Sequence, residues 1–107
     1  MVEQSLQLNA VFASLADATR RDILRRVLQE ELSIGEIAES YDLTFAAISK
    51  HLQVLEKAKL ILKRRRGKQQ FVTASPETIQ KAEEYLKDYQ RLWNERFDSL
   101  EVFLRTQ

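Results

Sequence analysis

Between Ile79 and Leu104, the apolar residues Ile79, Ala82, Leu86, Tyr89, Trp93, Phe97, Leu100 and Leu104 recur at steps of 3, 4, 3, 4, 4, 3 and 4. That spacing places all of them on one face of a single α-helix. At 1.5 Å per residue the stripe is roughly 40 Å long, and Tyr85 and Phe103 widen it. A chain of 107 residues makes one domain, with little core to spare for so long a stripe. The pattern therefore predicts a long C-terminal helix, part of which packs on a second copy of the chain. Its start is marked by Ser75 as a candidate N-cap, Pro76 at the first helical position and Glu77 at the positive end of the dipole.

Ahead of this helix the periodicity predicts four shorter ones. Leu8, Val11, Phe12 and Leu15 make an amphipathic first helix. Asp17 is placed to cap a second, in which Ile23, Leu24, Val27 and Leu28 share the apolar face. Ser33 and Glu36 form an S-x-x-E capping box, followed by a short stripe of Ile34, Ile37, Ala38 and Tyr41. After Asp42 and Leu43, Thr44 is the candidate cap of a fourth helix that turns Ile48, Leu52 and Leu55 inward. Two short helices joined this closely predict a helix-turn-helix over 33–58. The pattern then changes: Leu60, Ile61 and Leu62 lead into RRRGK and return through Gln70 to Thr73. Gly67 suits the tip of a β-hairpin, predicted over 60–74. The expected architecture is mainly α: an N-terminal helix over 1–16, the helix-turn-helix, a two-stranded hairpin, and the long helix over 76–105.

The charge distribution bears on function. The net charge is only +1, but residues 44–76 hold eight Lys and Arg against Glu56 alone. This basic excess coincides with the fourth helix and the hairpin, the parts that meet DNA in a winged helix-turn-helix. On the fourth helix the side opposite the buried stripe presents Ala46, Lys50, Gln53 and Lys57, flanked by Ser49 and Val54. Phe45, Ala46 and Ala47 offer no hydrogen bonds at the helix start, so contact with thymine methyl groups is expected to carry part of the readout.

The run from Ser14 to Ala74, above all ISKHLQVLEKAKL, resembles the ArsR family of winged helix-turn-helix transcriptional regulators. The tail YLKDYQRLWNERFDSLEVFL is similar to that of one ArsR subgroup, with Trp93, Arg96, Phe97, Asp98 and Leu100 carrying the match. The resemblance implies a homodimer built on the terminal helices, repressing transcription from an inverted-repeat operator. Carried over by position, Thr44, Ser49, Lys50 and His51 fall on the recognition helix, and Arg64, Arg65, Arg66 and Lys68 on the wing. The expected DNA-binding set is therefore Thr44, Phe45, Ala46, Ser49, Lys50, His51 and Gln53, plus those four wing residues. The expected dimer interface is Leu8, Phe12, Tyr89, Trp93, Phe97, Leu100 and Leu104.

Two departures from the family pattern matter. ELSIGEIAES has no thiolate where many members sense metals, and residues 77–107 contain no His. Carboxylates alone make a poor transition-metal site, so neither metal sensing nor a cofactor is expected. Lys59 stands where the family usually has Gly; a left-handed backbone there would cost a lysine about 1 kcal/mol. His51 is open to two readings, a hydrogen bond within the domain or a DNA contact. Arg20 and Arg21 could approach phosphate, but ion pairs with nearby carboxylates fit them better.

The chain has no Cys, no Gly-rich phosphate loop and no usable His/carboxylate pair, so an enzyme is not expected. It also lacks an apolar run of membrane length, and MVEQSLQLNAVF has no signal-peptide pattern. The expected location is cytoplasmic. The rival to a DNA-binding repressor is a winged-helix module for protein–protein interaction. An aromatic cleft between the terminal helices could also admit a small apolar effector.

Overall fold

The computed structural model describes residues 2–107, with side chains from residue 7 onward. Met1, in the expected N-terminal segment, lies outside the described residues. The order is α1 (Val2–Ser14), α2 (Ala18–Gln29), β1 (Leu32–Ser33), α3 (Ile34–Glu39), α4 (Phe45–Lys57), β2 (Ile61–Arg66), β3 (Gln69–Ala74) and α5 (Pro76–Arg105). The strands form one antiparallel sheet in the order β1-β3-β2. The fold is a winged helix: mainly helical, with a hairpin wing and a long last helix.

Most helix starts are fixed by side chains that replace missing intrahelical partners. The Asp17 carboxylate accepts from the Arg20 backbone N–H at 3.0 Å. Ser33 and Glu36 close the expected capping box, at 3.0 and 3.1 Å. Thr44 Oγ1 accepts from the Ala47 N–H at 3.1 Å. Ser75 departs from the expectation, because its side chain makes no capping bond. The start of α5 is held instead by the Ser75 N–H, which donates to the Leu60 carbonyl at 2.9 Å, and by buried Thr78, whose hydroxyl donates to the Lys59 carbonyl at 2.5 Å. Those two bonds tie α5 to the end of α4 and the root of the wing.

Backbone hydrogen bonds hold the Asp17 and Glu36 carboxyls below their ordinary values, 3.8 and 4.5. A depressed carboxyl pKa adds stability above its unfolded value and loses it as pH falls through the folded one. The unfolding free energy should therefore begin to drop below about pH 4.5, and Glu36→Gln should flatten the upper part of that drop. Urea titrations at stepped pH would show it; an unchanged pH profile in the variant would contradict the capping role.

The core gathers Val11 from α1, Ile23, Leu24 and Val27 from α2, Ile37 from α3, Ile48, Leu52 and Leu55 from α4, and Leu32, Ile61 and Val72 from the sheet, with Ile79 and Ala82 of α5 packed against it. Leu28, expected on the inner face of α2, is 52% exposed. Helix α3 ends at Glu39, so Tyr41 lies in the connection; it still packs on the core, and its hydroxyl donates to Asp22 at 2.5 Å. That bond, with the Arg25 guanidinium, lowers the Asp22 pKa, while burial raises that of Tyr41.

Helix α4 ends in a Schellman motif. The Lys59 N–H donates to the Glu56 carbonyl at 2.9 Å, and the Leu60 N–H to the Leu55 carbonyl at 3.0 Å. Lys59 sits at φ 62°, the left-handed position for which glycine is the usual residue. Lys59→Gly should therefore raise the unfolding free energy by about 0.5–1 kcal/mol, removal of Cβ strain outweighing the added entropy of the unfolded chain. Denaturant unfolding checks this, and a destabilised variant would mean that the lysine side chain has a structural role of its own.

Helix α5 gives the chain its elongated form. It runs for 30 residues, and the molecule measures 68 × 31 × 21 Å with a radius of gyration of 18.5 Å. A compact chain of this length would have a radius near 13 Å.

Candidate nucleic-acid interface

Helix α4 is held by its inner stripe: Ile48, Leu52 and Leu55 are completely buried. Burial of that stripe fixes the rotation of the helix, which leaves Thr44, Phe45, Ala46, Lys50, Gln53 and Lys57 exposed, with Ser49 half-buried. Thr44 has its oxygen engaged as the cap, while its hydroxyl hydrogen remains free to donate.

Of the α4 residues expected to meet DNA, His51 is turned towards the domain. Its Nδ1 lies 3.4 Å from Arg20 Nη1 and 3.9 Å from Asp17 Oδ2. The intradomain reading of His51 thus has a partner. The same arginine donates from Nε to the Ser14 carbonyl at 2.6 Å, and Arg21 donates to the Leu15 carbonyl at 2.8 Å. Arg20 and Arg21 therefore cap the C-terminal end of α1, where cations are favoured. Neither makes, among the described residues, the carboxylate ion pairs that the sequence suggested. Sequence reading also missed Arg20 as the link between α1 and α4, because a side chain bridging to His51 leaves no periodic signal.

The wing sorts its basic residues by strand alternation. Cross-strand partners are Lys63↔Val72, Arg64↔Phe71, Arg65↔Gln70 and Arg66↔Gln69. Ile61 and Val72 are buried in the core, so Lys63 and Arg65 share the core-side face, towards α4, and Arg64 and Arg66 share the outer one. Lys63 pairs with Glu56 of α4 at 3.3 Å. Arg66 pairs with Glu31 and stacks 4.1 Å above the Phe71 ring. These two contacts fasten the hairpin to the body of the domain. Arg64 and Lys68 are exposed and make no ion pair among the described residues, while Arg65 Nε donates to the Gly67 carbonyl at 3.3 Å. Of the four expected wing contacts, Arg66 is thus the one committed to an ion pair among the described residues. Strand β1, which the two-stranded expectation lacked, braces the wing: Leu32 pairs with Val72 and Ser33 with Phe71. Its two residues are too few for a periodic signal.

On the long helix, Leu86, Tyr89, Trp93, Phe97, Leu100 and Leu104 are all more than half exposed in the single chain. Trp93 and Phe97 meet edge to face at 4.8 Å. Phe12 of α1 lies 5.9 Å from Tyr85, whose hydroxyl is 2.7 Å from that of Tyr89; this bond raises the Tyr85 pKa. Leu8 is half-buried. A hollow of about 300 Å³ opens beside Trp93, Arg96, Phe97 and Leu100. No helix among the described residues is long and apolar enough to cross a membrane. No group of three His, Asp or Glu side chains among them could hold a metal ion.

Residues 15–64 match the family model for a helix-turn-helix domain. Over 71 residues the chain is 37% identical to the transcriptional repressor SdpR of Bacillus subtilis, an alignment covering 66% of this chain and 77% of that protein. A solved ArsR family transcriptional regulator, RHA00566, superposes with a TM-score of 0.78 at 30% identity, covering 84% of this chain and 93% of the other. An ArsR-like regulator from Rhodococcus sp. RHA1 gives 0.76 at 25% identity, with coverage of 92% and 93%. The exposed face of α4, the braced basic wing and these likenesses converge: the chain belongs to the ArsR family of winged helix-turn-helix transcriptional regulators, which bind DNA.

Proposed function

We propose that this regulator is a homodimeric repressor that binds an inverted-repeat operator through α4 and the wing and does not depend on a metal ion. The observation that carries the reading is the coincidence of charge and exposure. The eight-to-one basic excess of residues 44–76 falls on the two elements whose polar faces are open. Lys50, Gln53 and Ser49 supply hydrogen bonds to base edges, and Arg64, Arg65 and Lys68 supply charge to phosphates. Dimerisation is supported by the exposed stripe of α5. Its half-open side chains leave roughly 100 Å² each, in total on the order of the 800 Å² that a specific interface takes from each partner. A twofold axis through that stripe would set two α4 helices about one DNA turn, roughly 34 Å, apart. A dimer seated on its promoter represses by excluding polymerase, and the relative named as a repressor favours that sign.

The experiment is selection of bound sequences from random duplex DNA, with purified protein and EDTA present. An enriched inverted repeat with half-sites about one turn apart is the expected result. A folded protein that enriches no sequence at low salt would instead favour the protein–protein interaction module.

A further inference from the structure

The N-terminal ends of α3 and α4 and the wing tip line an open notch of about 420 Å³, with Ile34 and Phe45 from the helices and Arg65, Lys68, Gln69 and Gln70 from the wing. Phe45 is 63% exposed, more than any other aromatic side chain described. It stands apart from the start of α5, which is tied just beyond the end of α4 at Lys59, about 20 Å away along the helix at 1.5 Å per residue. It cannot hydrogen-bond, and Ala46 beside it is exposed and equally without donors. In the major groove the one apolar feature of a base edge is the thymine C5 methyl. Across the notch, the cationic Arg65 and Lys68 complement the phosphates bordering that groove, and the Gln69 and Gln70 amides can bond phosphate or sugar oxygens.

We propose that this notch is a thymine-selecting subsite, in which the Phe45 ring packs on a thymine C5 methyl while Arg65 and Lys68 hold the adjoining sugar–phosphate backbone of duplex DNA. The inference rests on the DNA-binding reading above and adds to it a base preference assigned to one side chain. Phe45 acts by excluding water around the methyl and by leaving the polar groups of other bases unpaired. The wing-tip cations set how deeply the duplex enters the notch.

The test compares random-duplex selection by the wild-type protein and by Phe45→Ala, followed by deoxyuridine replacement of the selected thymines. Circular dichroism confirms that the variant, altered at an exposed site, is folded. Wild-type protein is expected to select thymine at one fixed position in each half-site. Deoxyuridine there should weaken binding about fourfold per half-site, roughly fifteenfold for both, the effect of one methyl removed from water. Phe45→Ala should lose the preference and bind thymine and deoxyuridine operators equally. An enriched inverted repeat without that thymine, a wild-type protein indifferent to deoxyuridine, or a Phe45→Ala protein that keeps the full preference would each overturn the subsite while leaving the operator reading intact. A wild-type protein that enriches no sequence would overturn both.

Discussion

Trp93→Glu combined with Phe97→Glu should give a folded monomer whose operator affinity is about 10²–10⁴-fold lower than that of the wild-type protein. Both side chains are more than half exposed in the single chain and lie outside its core, so the helix-turn-helix should remain intact. Across a twofold interface, however, each substitution is present twice. Four carboxylates would be placed in an apolar seam where an unpaired buried charge costs several kcal/mol. Separated protomers bind each half-site alone, and the linked second binding event, worth 10²–10⁴ in effective affinity, is lost. Sedimentation velocity reads the oligomeric state, and fluorescence anisotropy on the selected operator reads the affinity. A wild-type monomer at micromolar concentration, or a double variant that still dimerises, would remove α5 from the interface.

The same helix shows what could be read in the sequence and what could not. The stripe from Ile79 to Leu104 predicted a helix longer than its own core needs, and α5 indeed packs on the core only at Ile79 and Ala82, leaving the stripe exposed from Leu86 onward. Periodicity reports such facts well because a helix repeats its environment every turn. The capping box at Ser33 and Glu36 was legible for a different reason: both partners lie within one turn of each other. Even the left-handed Lys59 was marked, since the family resemblance put glycine there and the backbone keeps the glycine conformation. What escaped was contact between distant residues. Thr78 reaching Lys59, Arg20 reaching His51 and Glu31 reaching Arg66 span 19, 31 and 35 positions. Each joins ordinary surface-type residues, whose partners are chosen by the packing of elements and not by spacing. Those contacts also decide which basic residues remain open to DNA, so the candidate site was legible as a region but not as a ranked set of side chains.

That ranking gives a second large effect. Operator affinity should fall about 10³–10⁵-fold between 50 and 200 mM salt, as expected for neutralisation of 6–10 phosphates across a dimer. Within this dependence the wing residues should separate. Arg64→Ala and Lys68→Ala each remove an exposed cation without an ion-pair partner among the described residues. In a dimer either change deletes two phosphate contacts, so the slope of log affinity against log salt should decrease by about 1.8. Arg66→Ala should leave the slope nearly unchanged, because its guanidinium is already committed to Glu31 and the Phe71 ring. Its loss should act on the wing instead, by removing one of the contacts that fasten the hairpin to the body of the domain. Affinity would then drop by a similar factor at every salt concentration, with faster amide exchange along β2 and β3. Anisotropy titrations at four salt concentrations distinguish the two behaviours. Equal slope changes for all three variants would return Arg66 to the set of phosphate contacts, and a salt-insensitive wild-type protein would end the DNA reading of the wing.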